Sequence, residues 1–573
     1  MQSRLGIRQP TTSQCTSYAL CHSLHYFSQE ICIQVGKELA MDQSRIAGVG
    51  AVAGGMFVRK SSGLVRTVTT LDTLLYCILQ IAIPYVMFNF AVYGLYPGAS
   101  MELATIIAIV GSVGLGITYA LFSSVYPRSG GEYVFLSRTA HPFIGFVVSF
   151  VVTFWQMYYT GVNGAFAATI GIAPLFTILG WQTENASLIG VGQFFDSPWG
   201  WFLVGAVVIA FFTAQLYVGM RTYFKYQKWV LSLALLGYLI FILTLVLGTV
   251  GVFDFKTNLE AISGQGAYQN LIDTASSQGL VLTPRISISS TMAFVIWPAF
   301  SFLFAVLSVA FSGEIKNVKR GQLYGIVGAN LIAGTLLLLV SYFGRMAIGD
   351  AFVKAASFLG AIDPLPYPWL TLLASVLGGN VLLTLIINLA MVLLLVYTIA
   401  SAFIYATRGA FAWAIDGMAP SKLAEVSERY HTPTYTILLA AVVGLASLAL
   451  YSFTDYMRII SGIIPFGIAF MIVAFVGMLF PYIKREVYQA SPAKIEIAGV
   501  PLMTITGFIA TLITAFVVYL AFVDDTYAAN STFSMWMIVI VFAVAAIWYF
   551  VARWVRSRQG VDMNALYKEI PIE

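Results

Sequence analysis

The segment QIAIPYVMF, Gln80–Phe88, places a proline in the middle of an apolar run that is long enough to cross a membrane. A proline inside a helix removes one backbone donor and leaves a carbonyl one turn earlier without its partner. The segment FVIWPAFSF, Phe294–Phe302, repeats this arrangement around Pro298. Two apolar runs that proline interrupts at a similar depth predict two membrane helices that unwind near the middle of the bilayer.

The composition of the whole chain is typical of a membrane protein. Its 573 residues are 59% hydrophobic and 10% charged, with a mean hydropathy of +0.85. Stretches of about twenty apolar residues recur along the chain, and each can cross a hydrocarbon core of roughly 30 Å. Helices of soluble proteins alternate polar and apolar faces, so this composition argues against a soluble helical protein.

We predict twelve membrane spans, and therefore an all-α polytopic membrane protein. They run over residues 70–95, 101–125, 142–178, 200–220, 226–252, 288–312, 321–347, 369–405, 433–452, 457–482, 500–523 and 533–556. The two runs with a central proline are the first and the sixth span. This spacing predicts a five-plus-five inverted repeat, in which each repeat begins with a helix that unwinds at a central site, plus two extra helices. The alternative for each proline is a simple kink, which is common in membrane helices.

The span map sets the predicted domain boundaries. They are a cytoplasmic N-terminal tail (1–66), the first repeat with spans 1–5 (67–252), an extracellular loop (253–287), the second repeat with spans 6–10 (288–482), spans 11 and 12 (483–556) and a cytoplasmic C-terminal tail (557–573). Within the first tail, Met41 opens a more ordinary stretch. One hypothesis is that the native protein starts there and that residues 1–40 are an artefact of start-site assignment. The other is that they form a genuine tail.

The distribution of basic residues predicts the orientation of the chain. With the N-terminus in the cytoplasm, the extracellular segments contain five of the 30 Lys and Arg residues, which leaves 25 for the cytoplasmic segments. The five are Lys256, Arg285, Arg345, Lys354 and Arg458. Cytoplasmic loops of membrane proteins carry an excess of Lys and Arg. If one span were missing, the loops after it would change sides and the basic residues would no longer be concentrated on one side. We therefore expect a protein of the cell membrane with both termini in the cytoplasm.

The spans lack the side chains with which membrane enzymes work. Their centres hold almost no ionisable groups, and the loops are too short for a soluble catalytic domain. The four cysteines show neither metal-site nor disulfide spacing; they are Cys15, Cys21, Cys32 and Cys77. We therefore predict no enzyme, no metal site, no cofactor and no nucleic-acid partner. A carrier of small solutes can bind its cargo through backbone groups, so its spans need no ionised side chain.

Three further segments carry a resemblance to a known family. The segment YPRSGGEYVFLSR, Tyr126–Arg138, resembles the signature PrSGGeYvylsR of the amino acid–polyamine–organocation (APC) superfamily. The segments SGEIKNVKR (312–320) and RGAFAWAIDGMAPSKLAEVSERYHTP (408–433) resemble two later motifs of the same family. Val318 and Thr407 stand where that family usually has proline and serine. Three motifs in order among twelve spans make the chain similar to an APC permease over about residues 60–560.

The resemblance implies a secondary active transporter that moves an amino acid or related amine by alternating access. Its partners are then a small-molecule substrate, a coupling ion that is sodium or a proton, and membrane lipid. A transporter of another small solute (a polyamine, an organocation or an inorganic cation) and a channel are the alternatives. In the family, the first motif forms a short helical loop under the inner gate. We therefore predict an inner gate at Arg128, Gly130, Gly131 and Glu132, where glycine permits close backbone approach.

The predicted substrate site consists of the two helix breaks and part of span 3. It comprises Ile81, Ala82, Ile83, Pro84, Trp297, Phe300, Ser301, Phe302, Tyr159 and Asn163. The APC family usually has glycine at both breaks, and this chain has none there. The bulky residues at these positions either shrink the pocket or line it for an apolar substrate.

Candidates for ion coupling lie in spans 8 and 6. Thr398 and Ser401 are hydroxyl residues three positions apart, so they share a helix face. With carbonyls at the break of span 1 they form a candidate oxygen site for sodium, and the alternative is ordinary helix packing. Glu314 is the candidate proton carrier. Its alternative role is an ion pair with Arg128 or Lys316.

Overall fold

The computed structural model describes residues 63–282, 285–360, 368–561, 563 and 567. Within these residues, twelve helices are long and apolar enough to cross a membrane, which confirms the predicted fold class. Spans 1 to 12 are Thr70–Leu95, Met101–Val125, Pro142–Gln182, Pro198–Val218, Met220–Thr249, Ile288–Glu314, Val318–Ile348, Val381–Ile415, Thr434–Phe453, Tyr456–Ile483, Leu502–Val523 and Thr532–Arg558. The two hypotheses for residues 1–40 lie outside the described residues, and the domain boundaries stay predictions.

Shorter elements connect the spans. The short helices are Glu132–Thr139, Ala186–Phe195, Phe255–Ser263, Ala267–Ser277, Asp350–Leu359, Leu370–Gly378, Ser421–Ala424 and Arg485–Ala490. A two-stranded antiparallel hairpin pairs Glu496–Ile497 with Val500–Pro501. Two of the helices lie in the segment 253–287, so this connection is a folded element rather than an irregular loop.

Span 8 differs from its predicted boundaries of 369–405. The apolar run is divided, because a separate helix, Leu370–Gly378, ends at Gly379, whose φ of 64° is left-handed. Span 8 begins after Asn380, whose side chain accepts a hydrogen bond from the backbone N–H of Leu383 at 2.9 Å. Glycine ends helices in this conformation and asparagine caps their first turn, so two adjacent residues create a break that hydrophobicity alone hides.

Local sequence also sets where other spans begin. The Thr69 backbone N–H donates to Asp72 Oδ2 at 2.9 Å, and the Asp72 N–H donates to Thr69 Oγ1 at 3.3 Å. This reciprocal cap satisfies backbone donors at the start of span 1. Spans 3 and 4 begin with Pro142 and Pro198, and a missing N–H costs no helical hydrogen bond at that position. Gly219, with a φ of 127°, separates spans 4 and 5.

Small residues let span 3 approach two of its neighbours closely. A Cβ atom on Gly161 would lie 2.3 Å from the carbonyl oxygen of Gly444 in span 9. A Cβ atom on Gly164 would lie 2.5 Å from the Cα atom of Gly205 in span 4. Lipid provides no hydrophobic force between membrane helices, so their association depends on such close packing. These contacts fix the position of span 3 in the bundle.

The outward faces of the spans are apolar. Val207 in span 4, Leu233 in span 5 and Phe550 in span 12 are each 61% exposed, and many large apolar side chains are exposed with them. A soluble monomer rarely exposes apolar surface on this scale. These faces therefore contact lipid, and polar groups are concentrated inside the bundle and at its ends.

Candidate functional site

Span 1 is interrupted at the position that its sequence predicts. The first helix of the span, Thr70–Ile81, ends at Ala82, whose φ of 51° and ψ of 63° are left-handed. A 3₁₀ turn, Ile83–Tyr85, follows before the helix resumes. Pro84 in this turn has no N–H, so the carbonyl of Gln80 loses its usual helical partner. The break therefore exposes backbone groups in the interior of the bundle.

Span 6 is irregular at a different place from the predicted one. The expected break at Trp297–Phe302 is displaced, because these residues lie in the helix Ile296–Leu303 and the span divides just before it, at Val295, after the helix Ile288–Phe294. Pro298 has no N–H to donate to the carbonyl of Phe294, so the division lies one turn before the proline, and Val295 keeps right-handed helical angles there (φ −55°, ψ −29°). The departure from α-helix follows in Phe304–Glu314, which is wound as a 3₁₀ helix.

A central cavity of about 40 Å³ lies against the break in span 1. Residues of spans 1, 3, 6 and 8 line it. They are Gln80, Ile81, Ala82, Tyr85, Gln156, Tyr159, Asn163, Phe300, Ser301, Phe304, Thr398 and Ala402. None of these lining residues is an Asp, Glu, Lys, Arg or His, so the polar surface of the cavity consists of amides, hydroxyls and backbone groups.

A second cavity, of about 230 Å³, continues from the central one toward one end of the bundle. Its lining residues are Tyr85, Phe88, Tyr158, Tyr159, Val162, Phe166, Trp297, Phe300, Ser301, Tyr451, Arg458, Ile460, Ser461 and Tyr527. The two cavities share Tyr85, Tyr159, Phe300 and Ser301. Three aromatic side chains and one serine therefore form the boundary between them.

Hydrogen bonds hold this boundary in place. The Tyr85 hydroxyl donates to Asn163 Oδ1 at 2.7 Å, which joins span 1 to span 3. The Gly462 backbone N–H donates to the Tyr159 hydroxyl oxygen at 3.2 Å, which joins span 10 to span 3. Because the rings are fixed from different spans, relative movement of the spans would open or close the passage between the cavities.

Trp297 lies on the wall of the second cavity. Its Nε1 donates to the Tyr96 hydroxyl oxygen at 2.9 Å, and the Tyr96 hydroxyl donates to Asp524 Oδ2 at 2.5 Å. The ring of Trp297 also packs against the ring of Tyr527, with 4.7 Å between their centroids. Trp297 thus connects span 6 to the residues that directly follow spans 1 and 11 at this end of the bundle.

The other end of the bundle, which we call the motif end, is where segments 126–141 and 408–433 meet. The Gly130 backbone N–H donates to the carbonyl of Ala310 in span 6 at 2.8 Å. Gly130 and Gly131 have φ values of 112° and 49°, which side chains disfavour. The glycine pair therefore permits a close approach of this segment to span 6.

Two buried groups of ion pairs stabilise the motif end. Arg408 Nε lies 2.9 Å from Glu314 Oε1, and Arg408 Nη2 lies 3.2 Å from Glu314 Oε2. Asp416 binds Arg138 at 2.7 Å and Arg128 at 3.4 Å. All five side chains are at most 3% exposed. Removing one partner from such a pair leaves an uncompensated charge in a medium of low dielectric constant.

Glu132 is also fully buried at this end. Its carboxylate accepts a hydrogen bond from the Tyr405 hydroxyl, and its Oε1 atom accepts none from the described residues. Burial raises the pKa of Glu132 to about 7, although the hydrogen bond from Tyr405 favours the charged form. Its protonation therefore changes near neutral pH.

The segment before span 1 is tied to the same end. The Val68 backbone N–H donates to the Glu314 carbonyl oxygen at 3.0 Å, and the Lys316 N–H donates to the Val68 carbonyl at 3.0 Å. Lys228 of span 5 lies 2.9 Å from Asp72 Oδ1 in span 1. Spans 1, 5, 6 and 8 and the segment 126–141 are thus joined at the motif end.

A comparison with known families agrees with this architecture. A family model described as amino acid permease matches residues 71–559. The chain belongs to the amino acid permease family. This confirms the resemblance to the APC superfamily. The permease is a multi-pass membrane protein, and its family points to transport of amino acids or related substrates rather than to an enzyme.

The permease brings several predicted substrate residues together at the central cavity. They are Ile81, Ala82, Tyr159, Asn163, Phe300 and Ser301. Trp297 lines the second cavity, and the residues outside both linings are Ile83, Pro84 and Phe302. The prediction missed Gln80, Tyr85, Gln156, Phe304 and Ala402. The two glutamines could have been found from the sequence, because polar residues are rare in apolar spans. The other three resemble ordinary packing residues.

The two hydroxyl residues of span 8 have hydrogen bonds within their own helix. Thr398 Oγ1 donates to the Leu394 carbonyl at 3.0 Å, and Ser401 Oγ donates to the Thr398 carbonyl at 2.7 Å. Thr398 Oγ1 also lies 3.4 Å from the Leu79 carbonyl, just before the break in span 1. Thr398 lines the central cavity, whereas Ser401 is not among its lining residues.

Glu314 lies at the motif end and is not among the residues that line either cavity. Its ion pair is with Arg408, so the alternative partners, Arg128 and Lys316, are wrong. This geometry makes Glu314 part of the contacts between spans 6 and 8.

Proposed function

We propose that the permease is a secondary active transporter that moves an amino acid or a related amine across the cell membrane by alternating access. The observation that carries this proposal is the central cavity beside the interrupted helix of span 1. Backbone groups that a helix break exposes can bind the ammonium and carboxylate groups of a zwitterion without any ionised side chain. The uncharged lining of the cavity suits this mode of binding.

The two ends of the bundle support alternation. The second cavity offers a route between the central cavity and one end, and buried ion pairs join the elements of the motif end. For cargo to leave through the motif end, these pairs must separate. Arg128, Gly130, Gly131 and Glu132 belong to this inner gate. The excess of Lys and Arg supports an orientation in which the motif end and both termini face the cytoplasm.

Ion coupling is part of the proposal. The short distance between Thr398 Oγ1 and the Leu79 carbonyl supports a sodium site formed by hydroxyl and carbonyl oxygens beside the cargo. A proton is the alternative coupling ion. The ion pair between Glu314 and Arg408 favours a gate role for Glu314 over the role of proton carrier.

Uptake into proteoliposomes tests the transport mechanism. A panel of amino acids and polyamines would be measured with and without gradients of sodium and pH. We expect saturable uptake and counterflow of an amino acid, driven by one of the two gradients. Uptake without saturation or counterflow would indicate a channel, and uptake of polyamines alone would indicate a different class of cargo.

Two variants test the site. Thr398→Val removes the hydroxyl that faces span 1, and we expect a roughly tenfold weaker dependence on sodium, since one such contact contributes about 1.4 kcal/mol. Ser301→Ala is expected to weaken cargo binding to a similar extent. Thr335→Val is the matched control, because Thr335 is exposed on span 7 and bonds its own helix at 2.9 Å. If both site variants keep the wild-type affinity and ion dependence, the assignment of the site is wrong.

A further inference from the structure

The two cavities also indicate the chemical class of the cargo, an inference that rests on the proposed function. We propose that the permease selects amino acids with a large uncharged side chain and that the amide of Gln156 is a specificity-determining contact to the cargo. Three observations carry this proposal: the charges around the cavities, the aromatic walls, and a buried amide oxygen without a partner.

The cavities hold no counter-charge for a cationic side chain. No carboxylate is among the residues that line either one. The charged residue in the second lining is Arg458, which donates to Asp455 Oδ1 at 3.2 Å and to the Ser452 carbonyl at 2.7 Å. Its guanidinium also lies over the ring of Trp201, 4.9 Å from the centroid. An unpaired charge is costly inside a membrane protein, so lysine, diamines and acidic amino acids are disfavoured as cargo.

The walls suit a large apolar group. Tyr85, Tyr159 and Phe300 form the boundary of the cavities, and the rings of Phe88 and Phe166 lie 5.5 Å and 5.9 Å from that of Tyr85. The central cavity, at about 40 Å³, is too small for a large side chain, whereas the second cavity measures about 230 Å³. The cargo therefore places its amino and carboxyl groups at the break and its side chain across the aromatic boundary.

Gln156 is the lining amide whose oxygen is buried without a donor. Its side chain is buried, and its Oε1 atom accepts no hydrogen bond from any described residue. Each of the other two amides of the cavity has one engaged atom, since Gln80 Nε2 donates to the Tyr76 hydroxyl at 2.9 Å and Asn163 Oδ1 accepts from Tyr85 at 2.7 Å. A buried acceptor without a donor is costly, so an N–H group of the cargo would satisfy it. Because the Gln156 amide is neutral, it can accept a hydrogen bond from the ammonium group of the cargo without also attracting a cationic side chain.

Competition measurements in proteoliposomes test the class of cargo. The assay measures how well each compound in a panel inhibits uptake of a transported amino acid. The panel contains phenylalanine, leucine, alanine, lysine, glutamate and putrescine. We expect phenylalanine and leucine to bind at least tenfold more tightly than the charged compounds. Lysine or putrescine binding as tightly as phenylalanine, or alanine binding tightest, would overturn the proposed class while leaving transport intact. If no amino acid or amine binds or moves, the proposed function itself fails.

Substitutions of Gln156 test its role. Gln156→Leu should weaken the binding of phenylalanine about tenfold. The nearly isosteric Gln156→Glu should shift the ratio of the two affinities toward lysine by a similar factor. Gln215→Leu is the control, because Gln215 is also buried with an unpartnered Oε1 but lines neither cavity. Wild-type affinities in both Gln156 variants would overturn the role of this residue, as would an equal loss in the control. If Gln156→Leu does not fold, Gln156→Glu decides alone.

Discussion

Replacing Glu314 by glutamine is expected to open the motif end of the permease. Glu314 ends span 6, and its two carboxylate oxygens bind Nε and Nη2 of Arg408 at 2.9 Å and 3.2 Å. The side chains are 3% and 0% exposed, so water screens neither charge. In the variant, Arg408 keeps its hydrogen bond to Thr407 Oγ1 at 3.0 Å but loses the negative charge of Glu314.

The size of the effect follows from this burial. Removing one partner of a buried ion pair costs about 3–5 kcal/mol. Each 1.4 kcal/mol corresponds to a factor of ten, so the closed state of the motif end should lose roughly a factor of 10²–10⁴ in relative population. Arg408→Met should cost less, because the carboxylate that remains can be neutralised by a proton whereas a guanidinium cannot. The double variant Glu314→Gln/Arg408→Met leaves neither charge of the pair and should be close to the wild type.

The assay is cysteine accessibility in proteoliposomes. Ala402 lines the central cavity, so Ala402→Cys, in a background without the four native cysteines, reports access to it. A thiol reagent that does not cross membranes would be added to each face in turn. We expect Glu314→Gln to raise the labelling rate at least tenfold from the motif end, and the double variant to restore it. Glu102→Gln, which breaks a partly exposed pair with Arg345 at the opposite end (side chains 22% and 18% exposed), is the control.

Two results would refute this reasoning. Equal labelling of Glu314→Gln and the wild type from the motif end would mean that the pair does not hold that end closed. Labelling of the double variant as fast as that of Glu314→Gln would mean that the lone charge is not the cause. The difference between the double variant and the sum of the single variants measures the coupling of the two side chains.

Three further predictions concern stability, each measured as an apparent melting temperature. Burial raises the pKa of Glu132 from 4.5 to about 7, so between these pH values the folded protein binds more protons than the unfolded chain, and its stability should fall as the pH rises through this window. Glu132→Gln should flatten the dependence of the melting temperature on pH, and an unchanged dependence would contradict this. Ala82→Gly should stabilise the protein by about 1 kcal/mol because glycine tolerates a φ of 51°, and a lower melting temperature would argue against strain at the break. Gly161→Ala should destabilise by about 1–3 kcal/mol because its Cβ would meet the backbone of Gly444 at 2.3 Å, whereas Gly190→Ala, inside the helix Ala186–Phe195 with no atom within 4 Å, should stabilise by up to about 1 kcal/mol.

The sequence by itself determined the features that depend on neighbouring residues. The number of spans follows from the length of each apolar run, because the thickness of the bilayer sets how many residues must be apolar. The break in span 1 follows from Pro84, because the missing N–H acts on its own helix whatever surrounds it. The same argument holds for Pro298, since span 6 divides one turn before it at Val295, but Val295 keeps helical angles, so the sequence did not show how small this division is.

Only the tertiary structure decided which side chains meet. Gln156 and Gln215 give the same signal, a glutamine within an apolar span, yet helix rotation and packing place Gln156 alone of the two at the central cavity. Glu314 binds Arg408, 94 residues away, rather than Lys316 beside it. The partner of a buried polar group depends on how distant helices pack, and a local pattern of residues contains no information on that distance or direction.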